Sequence, residues 1–262
     1  MPTRIVSLSP THTEILFAIG AGGQVIAVDD QSNFPEAAVA VQTDLSGFEP
    51  NVEAIADYDP DLVVFQVGTD LVPQLGSLDI PTYEAPVATT FAEAYTQIEQ
   101  LGATTGHVAE AAGVVATMTA DIAALAASLP PSETPLTVYH ELSPDYYSAN
   151  SSTFIGQVYS ALGLQNIADR AEGDSGGYPQ LSAEAIIDAD PDLIFLADTK
   201  CCGESFKTVR GRPGWQDMTA VVDGRVFEMD DDVASRWGPR IVDYMRQVAE
   251  AVVAVRELEP TG

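Results

Sequence analysis

Two matching stretches decide the fold: "NVEAIADYDPDLVVFQ" at residues 51–66 and "SAEAIIDADPDLIFLA" at residues 182–197. Each begins with a residue typical of a helix N-cap, Asn51 or Ser182, and has a glutamate two positions later, where a negative charge suits the helix dipole. Each then runs through a short amphipathic helix to an Asp-Pro-Asp stop signal. Each ends in a continuous apolar run, which is typical of a parallel strand buried on both faces. The same helix–strand unit is therefore expected twice.

A weaker repeat precedes each copy. "RIVSLSP" ends at Pro10 and "LTVYHELSP" ends at Pro144, and each strand-like run leads into a helix that ends near a glycine. The order strand–helix–strand–helix–strand is thus written twice, which favours parallel sheets with helices on both faces. The period is too long for a solenoid repeat. The sequence predicts an α/β protein of two similar lobes.

An Ala-rich segment with few strand formers lies between the repeats. Gly102 and Gly106 interrupt it, so we expect a short helix and then a long one at roughly 107–128, which would join the lobes as a stiff strut. Because open α/β sheets bind ligands beyond the carboxyl ends of their strands, we expect a ligand cleft between the lobes. The predicted division is an N-terminal α/β lobe at 1–90, a helical strut at 91–130 and a C-terminal α/β lobe at 131–262.

Composition excludes several classes of protein. The chain has 262 residues, 46% of them hydrophobic, and a formal net charge of −28. Such a surface repels nucleic-acid phosphates and anionic lipid headgroups, so we expect no nucleic-acid partner. No apolar run approaches the ~20 residues that span a bilayer, and no signal peptide is visible. The acidity itself is typical of adaptation for solubility or high salt.

The lysines and arginines are unevenly distributed. Of the eleven, Arg4 is the only one before Arg170, and seven lie between Lys200 and Arg240. This concentration indicates either a site for an anionic ligand group or pairing with local carboxylates. The sequence leaves both interpretations open.

Two motifs suggest chemistry that the rest of the sequence does not support. "GDSGG" at residues 173–177 matches the nucleophile segment of trypsin-like proteases, but a partner histidine in the matching context is lacking and the α/β repeat does not fit that fold. A hydrolase using Ser175 is thus the least favoured function, and we expect a non-enzyme. His12 follows the first Leu-Ser-Pro segment and His140 precedes the second, and the two histidines could hold zinc. Because they lack a defined ligand spacing, we expect neither a metal nor a cofactor.

The order of several motifs resembles the helical-strut class of ABC-transporter substrate-binding proteins. These are "RIVSLSPTHTEILFAIGAGGQVIAVDDQSNFP", "NVEAIADYDPDLVVF", the Gly-broken central helix, "RPGWQDMTAVVDGRVFEM" and "ASRWGPRI". This class serves vitamin B12, ferric siderophores, haem and, in a distant branch, zinc or manganese. The Ser-Pro-x-x-Thr-Glu start at residues 9–14 and the "SRWGPRI" segment are most similar to the cobalamin-binding branch.

The resemblance implies a non-enzymatic receptor outside the cytoplasmic membrane, either periplasmic or a cell-surface lipoprotein, that delivers its ligand to an ABC permease dimer. We expect a monomer with a corrinoid ligand. A ferric-siderophore or haem receptor is the alternative, favoured by the Arg-rich second lobe, and a metal-ion receptor is a further one. Members of the class present one acidic residue from each lobe to the permease, and the candidates here are Asp70 and Glu204.

The expected ligand site combines aromatic faces with hydrogen-bonding groups. A corrin has an apolar rim and many amide groups, which such a surface would match. The expected ligand-binding residues are His12, Gln31, Phe34, Phe48, Gln66, His140, Tyr146, Tyr147, Cys201, Cys202, Asp232, Arg236 and Trp237.

The only two cysteines of the chain are neighbours in "TKCCGES" at residues 199–205. A metal site would need further ligands, and a redox motif would more often read Cys-x-x-Cys. In an oxidising compartment adjacent cysteines can close into a strained ring. We predict a vicinal Cys201–Cys202 disulfide that stiffens the loop and offers a flat sulfur surface to the ligand. Two reduced thiols in a structural turn are the alternative.

Overall fold

The computed structural model describes residues 1–66, 70–130, 134–173 and 175–258. Within these ranges the strands are β1 (Ile5–Leu8), β2 (Val25–Val28), β3 (Leu62–Gln66), β4 (Thr82–Ala85), β5 (Thr137–Glu141), β6 (Gln165–Asn166), β7 (Leu193–Leu196) and β8 (Val226–Glu228). They form two four-stranded sheets, with the orders β2-β1-β3-β4 and β6-β5-β7-β8. Every pairing between these strands is parallel. The predicted pair of similar α/β lobes is confirmed.

Helices connect the strands of both sheets. The α-helices of the described residues are α1 (Pro10–Ala18), α2 (Glu36–Val39), α3 (Val52–Ala56), α4 (Leu71–Gly76), α5 (Phe91–Thr105), α6 (Val108–Ser128), α7 (Phe154–Ala161), α8 (Ala183–Ala189), α9 (Thr199–Cys202), α10 (Phe206–Arg210), α11 (Thr219–Val222), α12 (Asp231–Ser235) and α13 (Ile241–Leu258). Short 3-10 helices occupy Ala21–Gln24, Ile167–Arg170 and Trp215–Asp217.

The sequence repeat is a structural repeat. The Asn51 side chain accepts the Ala54 N–H at the start of α3, and Ser182 accepts the Ala185 N–H at the start of α8, so both predicted N-caps are present. The apolar runs form β3 and β7, which are interior strands of their sheets. All four residues of β7 are fully buried. Burial on both faces explains why these strands read as continuous apolar runs rather than alternating ones.

The Asp-Pro-Asp element follows a helix in both copies. Its first aspartate, Asp59 or Asp190, has a positive φ of 48° or 41°. Asp190 is the C-cap of α8, whereas α3 ends at Ala56, three residues before Asp59. Its last aspartate binds the start of the adjacent strand: Asp61 accepts the N–H and hydroxyl of Thr3, and Asp192 accepts those of Thr137. The motif therefore follows the end of a helix and ties two neighbouring strands together in both copies.

The chain divides into two compact units, residues 1–119 with 237–239, and residues 120–236 with 240–262. The division falls inside α6, whose 21 residues span about 32 Å at 1.5 Å per residue. By length and composition alone α6 could cross a membrane, contrary to the expectation that no apolar segment is long enough. Only 11% of its most apolar window is buried, and one such helix is weak evidence for a span. The boundaries expected near residues 90 and 130 stay a prediction.

Each unit has its own apolar core around its sheet. In the first unit, residues of β1 and β3 pack with helices α3 and α4, and Phe65 is 1% exposed. In the second, residues of β5, β7 and β8 pack around Trp215, which is fully buried. The cores fix the strands, and the loops that follow the strands are left to carry polar and exposed aromatic groups.

Candidate ligand-binding residues at the carboxyl edge of each sheet

The strands of a parallel sheet all end at one edge, and that edge is where open α/β folds bind ligands. The structure sorts the predicted residues at these edges by exposure. Exposed are Gln31, Phe34, Phe48, Tyr147, Cys201 and Cys202; half-buried are Gln66, Tyr146 and Asp232; buried are His12, His140, Arg236 and Trp237. Their contact with a ligand stays a prediction, for which the exposed residues are the better placed.

Phe48 is the most accessible aromatic side chain of the first unit. It is 85% exposed, and Phe34, in the loop that follows β2, is 41% exposed. A Cβ on Gly47 would lie 2.5 Å from the Leu8 carbonyl oxygen, so only glycine lets this loop approach the end of β1 so closely. The Ser46 hydroxyl accepts the backbone N–H of Phe48 and holds the turn. The Phe48 ring is thus presented to solvent by a tightly packed backbone.

His12 belongs to a buried hydrogen-bond network of the first unit. Gln97 donates its amide N–H to the Pro86 carbonyl, and its Oε1 lies 3.0 Å from both His12 Nε2 and Trp237 Nε1. Since the indole N–H can only donate and Oε1 can only accept, His12 carries its proton on Nε2 and accepts from the Ser9 hydroxyl at Nδ1, 2.7 Å away. Burial lowers the pKa of His12 to about 4, with the Gln97 hydrogen bond opposing. His12 is therefore neutral and structurally engaged.

Sequence reasoning missed Gln97, whose only signal was a glutamine on the apolar face of a predicted helix. It is 2% exposed and orients both His12 and Trp237. The histidine and indole rings meet edge-on, with centroids 6.1 Å apart. The structure thus brings these two predicted residues together, as parts of one buried cluster.

His140 of the second unit is also fully buried. Its Nδ1 lies 2.7 Å from the Tyr159 hydroxyl and 3.2 Å from that of Tyr244. Burial lowers the pKa of His140 to about 3, so the ring is neutral. Among the described residues no group of three histidine, cysteine, aspartate or glutamate side chains is arranged to hold a metal ion.

The second unit presents two exposed tyrosines from paired loops. Tyr147 is 45% exposed and forms an antiparallel bridge with Gln180, and Tyr178 is 40% exposed. The backbone bonds Ser148 N–H to Pro179 O and Asn150 N–H to Gly177 O hold the two segments together. Sequence reasoning missed Tyr178, because the only signal in this segment was a set of glycines that predicts a loop. Ser175 is exposed, and Asp174 of the "GDSGG" motif lies outside the described residues.

Arg212 is the centre of a charged network behind these loops. Its guanidinium donates two 2.6 Å bonds to the Glu141 carboxylate and one of 2.7 Å to Glu204. Its Cζ lies 4.6 Å from the Trp215 ring centroid and 5.3 Å from that of Tyr146. Burial opposes the charge, but the bonds and charges of Glu141 and Glu204 hold the pKa of Arg212 above its usual range. Glu141 is fully buried, so this bidentate pair neutralises a charge that water cannot reach.

Other cations of this unit are also paired with carboxylates. Lys200 lies 2.6 Å from Asp230 and 2.9 Å from Asp232, and Arg236 lies 2.7 Å from Asp232. The interpretation that the cation-rich segment pairs locally therefore gains support over that of a preformed anion site. Glu204, a candidate for permease contact, shares its carboxylate with Arg212, whereas Asp70 is exposed.

Asp198 follows β7 directly and is fully buried. Neither of its carboxylate oxygens has a hydrogen-bond partner among the described residues. Burial, followed by the charges of Glu141 and Glu204, raises the pKa of Asp198 to about 7, against the opposing charge of Arg212. From the sequence, Asp198 is a polar residue that follows a buried strand, and no local pattern indicates that its side chain is itself buried.

Cys201 and Cys202 are free thiols on the surface, and the predicted vicinal disulfide is absent from the structure. The Asp231 carboxylate accepts the backbone N–H groups of Thr199, Lys200 and Cys201 and so holds α9 helical. A helix rotates successive side chains by about 100°, which keeps adjacent sulfurs from the bonding geometry of a vicinal ring. The alternative of two thiols in a structural turn fits this geometry.

Comparison with known proteins gives consistent matches over most of the chain. The periplasmic binding protein family matches residues 5–233. An uncharacterized ABC transporter substrate-binding lipoprotein of Bacillus subtilis (strain 168) is 30% identical over 260 residues, 96% of this chain and 80% of that protein. A cobalamin-binding protein of Halobacterium salinarum (strain ATCC 29341 / DSM 671 / R1) is 31% identical over 258 residues, 95% of this chain and 69% of that protein.

A solved structure shows the same fold. The periplasmic heme-binding protein from Roseiflexus sp. RS-1 in its apo form has a TM-score of 0.86 at 23% identity, covering 97% of this chain and 99% of that one. The sequence matches place the chain among the substrate-binding proteins of ABC importers, and the solved structure shows that it shares their fold. The chain belongs to the periplasmic binding protein family.

Proposed function

We propose that this protein is the extracytoplasmic receptor that captures a corrinoid and delivers it to an ABC importer. The family gives the general function. The corrinoid assignment is supported by the Ser-Pro-x-x-Thr-Glu start at residues 9–14 and by the 31% identity to a cobalamin-binding protein.

The observation that carries the proposal is a set of exposed aromatic rings at the carboxyl edges of the sheets. Phe34 and Phe48 are exposed in the first unit, and Tyr147 and Tyr178 in the second. A large ligand with an apolar rim and amide groups suits aromatic faces that also offer hydroxyls. We propose that these rings are the groups through which each unit contacts a corrin, with Gln31 and Gln66 as hydrogen-bonding partners in the first unit.

The charge distribution favours a corrinoid over an anionic ferric siderophore. Siderophore recognition would use cations free to bind ligand oxygens. Arg212, Lys200 and Arg236 instead form ion pairs with nearby carboxylates. A corrinoid of small net charge needs no such cation.

A haem receptor is the second candidate, because one exposed group is suited to ferric iron. Tyr147 is 45% exposed, and a tyrosine phenolate is a known axial ligand of haem. If this candidate is correct, haemin will bind with a shift in its absorbance bands, and Tyr147→Phe will abolish the shift while leaving the circular dichroism spectrum unchanged.

The direct test is calorimetric titration of the purified protein with cyanocobalamin, with haemin titrated in parallel. We expect heat and one-to-one binding with cyanocobalamin. Phe48→Ala removes a ring that would bury on the order of 100 Å² against the ligand, about 2.5 kcal/mol at 25 cal/mol per Å², and so weakens binding by roughly 10- to 70-fold.

Val222→Ala is the matched control, because Val222 is an apolar residue 67% exposed at the end of α11. It should leave the affinity unchanged. No heat with cyanocobalamin at protein concentrations well above micromolar would refute the corrinoid assignment. Equal affinities for wild type and Phe48→Ala would refute the role of the Phe48 ring alone.

The importer contact is the remaining part of the proposal. Asp70 and Glu204 are the residues that we propose to meet the permease, and Asp70 is the more accessible of the two. Charge reversal of Asp70 should lower ATP hydrolysis stimulated by the loaded receptor in reconstituted importer, without changing the calorimetric affinity for cyanocobalamin.

A further inference from the structure

Two thiols lie side by side at the end of α9. Cys201 and Cys202 are both exposed, and the two thiols lie close enough for each to influence the ionisation of the other. They belong to consecutive residues at the surface, where rotation about χ1 can bring both sulfurs to one common atom, and they are not joined by an S–S bond of about 2.0 Å.

The backbone that presents the thiols is held in place. Cys201 donates its N–H to the Asp231 carboxylate and Cys202 donates to the Asp198 carbonyl. Gly203, with φ of 75°, ends the turn and donates to the Thr199 carbonyl. A donor pair fixed in this way loses little conformational freedom when it binds a ligand.

The surroundings of the pair favour uncharged sulfur. Partial desolvation, the neighbouring Cys202 thiol and the charges of Asp231 and Asp198 raise the pKa of Cys201 to about 12. The Asp198 carboxylate adds a buried negative charge that has no hydrogen-bond partner among the described residues. Two neutral thiols that lose their protons on binding one neutral electrophile add no charge beside Asp198, so an uncharged chelate suits these surroundings.

The number of ligands restricts what can bind. Structural zinc needs four ligands, and the described residues offer no group of three. Soft sulfur ligands select soft, thiophilic elements. In an organoarsenic(III) compound the third bond of arsenic goes to carbon, so two sulfurs complete its bonding.

We propose that Cys201 and Cys202 form a chelating dithiol site for trivalent organoarsenicals. With an arylarsenoxide, both S–H bonds and the arsenic–oxygen bond break and two As–S bonds form. The two protons leave with the oxygen as one water molecule, and neither arsenic nor sulfur changes oxidation state. Arsenic bridges a wider gap than a direct S–S bond, so α9 need not unwind as it would for the vicinal ring.

The test uses the whole chain, reduced with a phosphine that is then removed, and phenylarsine oxide as the probe. Native mass spectrometry should show one phenylarsenic group per chain, at the cost of two hydrogens. The adduct should survive an excess of 2-mercaptoethanol and be removed by a small dithiol. In Cys201→Ser and in Cys202→Ser the phenylarsenic group is held by a single sulfur. Its release should therefore take roughly 10²–10⁴ times less monothiol than in the wild type, because the second, intramolecular As–S bond is missing.

Asp198→Asn separates the electrostatic argument from the chelation itself. Loss of this charge should lower the pKa of Cys201 and speed its alkylation by iodoacetamide, while the chelate still forms. The proposal fails if the reduced wild type gives no adduct, or if monothiol strips the wild-type adduct as readily as that of either serine variant. Circular dichroism checks that both serine variants are folded, so that loss of the adduct reports the missing sulfur.

Discussion

Asp198→Asn is expected to stabilise the second unit at neutral and alkaline pH. The Asp198 side chain is fully buried, and neither oxygen finds a hydrogen-bond donor among the described residues. Burial and the nearby charges of Glu141 and Glu204 raise its pKa to about 7. Folding above that pH therefore keeps an unsatisfied charge away from water, which asparagine of the same shape would not carry.

The magnitude follows from linkage. An aspartate titrates near 3.9 in the unfolded chain, so the folded state holds the proton more tightly by about three pKa units. At 1.36 kcal/mol per unit the ceiling is about 4 kcal/mol, and relaxation around the ionised group reduces this to roughly 1–3 kcal/mol. The contribution is fully present below the unfolded pKa and is lost as the pH rises to about 7, so wild-type stability falls over the range from about 4 to 7.

The assay is urea unfolding of wild type and Asp198→Asn at pH 5 and pH 8. Trp215 lies in the core of the second unit, and in a Trp237→Phe background it is the only tryptophan, so its fluorescence reports that unit. The difference in unfolding free energy between variant and wild type should be larger at pH 8 than at pH 5. The same difference at both pH values, or a variant less stable at pH 8, would refute the assignment of the raised pKa to Asp198.

Three further predictions concern the networks and the net charge. Arg212→Met leaves the Glu141 carboxylate buried and unpaired, so the free energy of unfolding should fall by about 3–5 kcal/mol. Adding Glu141→Gln to this variant should recover part of the loss. Equal losses in the single and double variants would contradict the pairing. Gln97→Leu leaves both the His12 and the Trp237 N–H without an acceptor and should cost roughly 2–4 kcal/mol in chemical unfolding, against less than about half of that for an exposed glutamine replaced in the same way. Because the net charge is −28, screening of charge repulsion by molar KCl should raise the thermal midpoint measured by calorimetry. The increase should be larger than that given by sucrose of equal osmolality. An equal increase with both solutes would argue against charge repulsion.

The fold was accessible from the sequence because its determinants are local and are written twice. The caps Asn51 and Ser182 lie three residues from the N–H groups that they accept. The Asp-Pro-Asp segment is also a local signal, whereas the bonds of Asp61 and Asp192 to the neighbouring strands join residues far apart in sequence. Repetition made each weak local signal reliable, since chance agreement at a constant offset is rare.

The candidate site was less accessible because its contacts are distant in sequence. Arg212 meets Glu141 across 71 positions, and Gln97 meets Trp237 across 140. No spacing rule links such pairs, and composition could only report that cations are concentrated in one segment. The vicinal disulfide is not confirmed, and no spacing rule links the two cysteines to Asp231, which lies 30 positions away and holds their backbone helical.

Each unit buries an incompletely satisfied carboxylate at the end of a strand. In the first unit it is Asp29, which follows β2 and is fully buried. Burial raises the pKa of Asp29 to about 6, although Gln31 and Ser32 donate hydrogen bonds to it. In the second unit it is Asp198. A core selected for stability alone would place apolar residues at both positions, because an unpaired buried charge is costly. Native proteins accept such local conflicts mainly where function requires them. The carboxyl edges predicted to bind ligand are thus also where both units carry avoidable strain, and this agreement supports placing the function there.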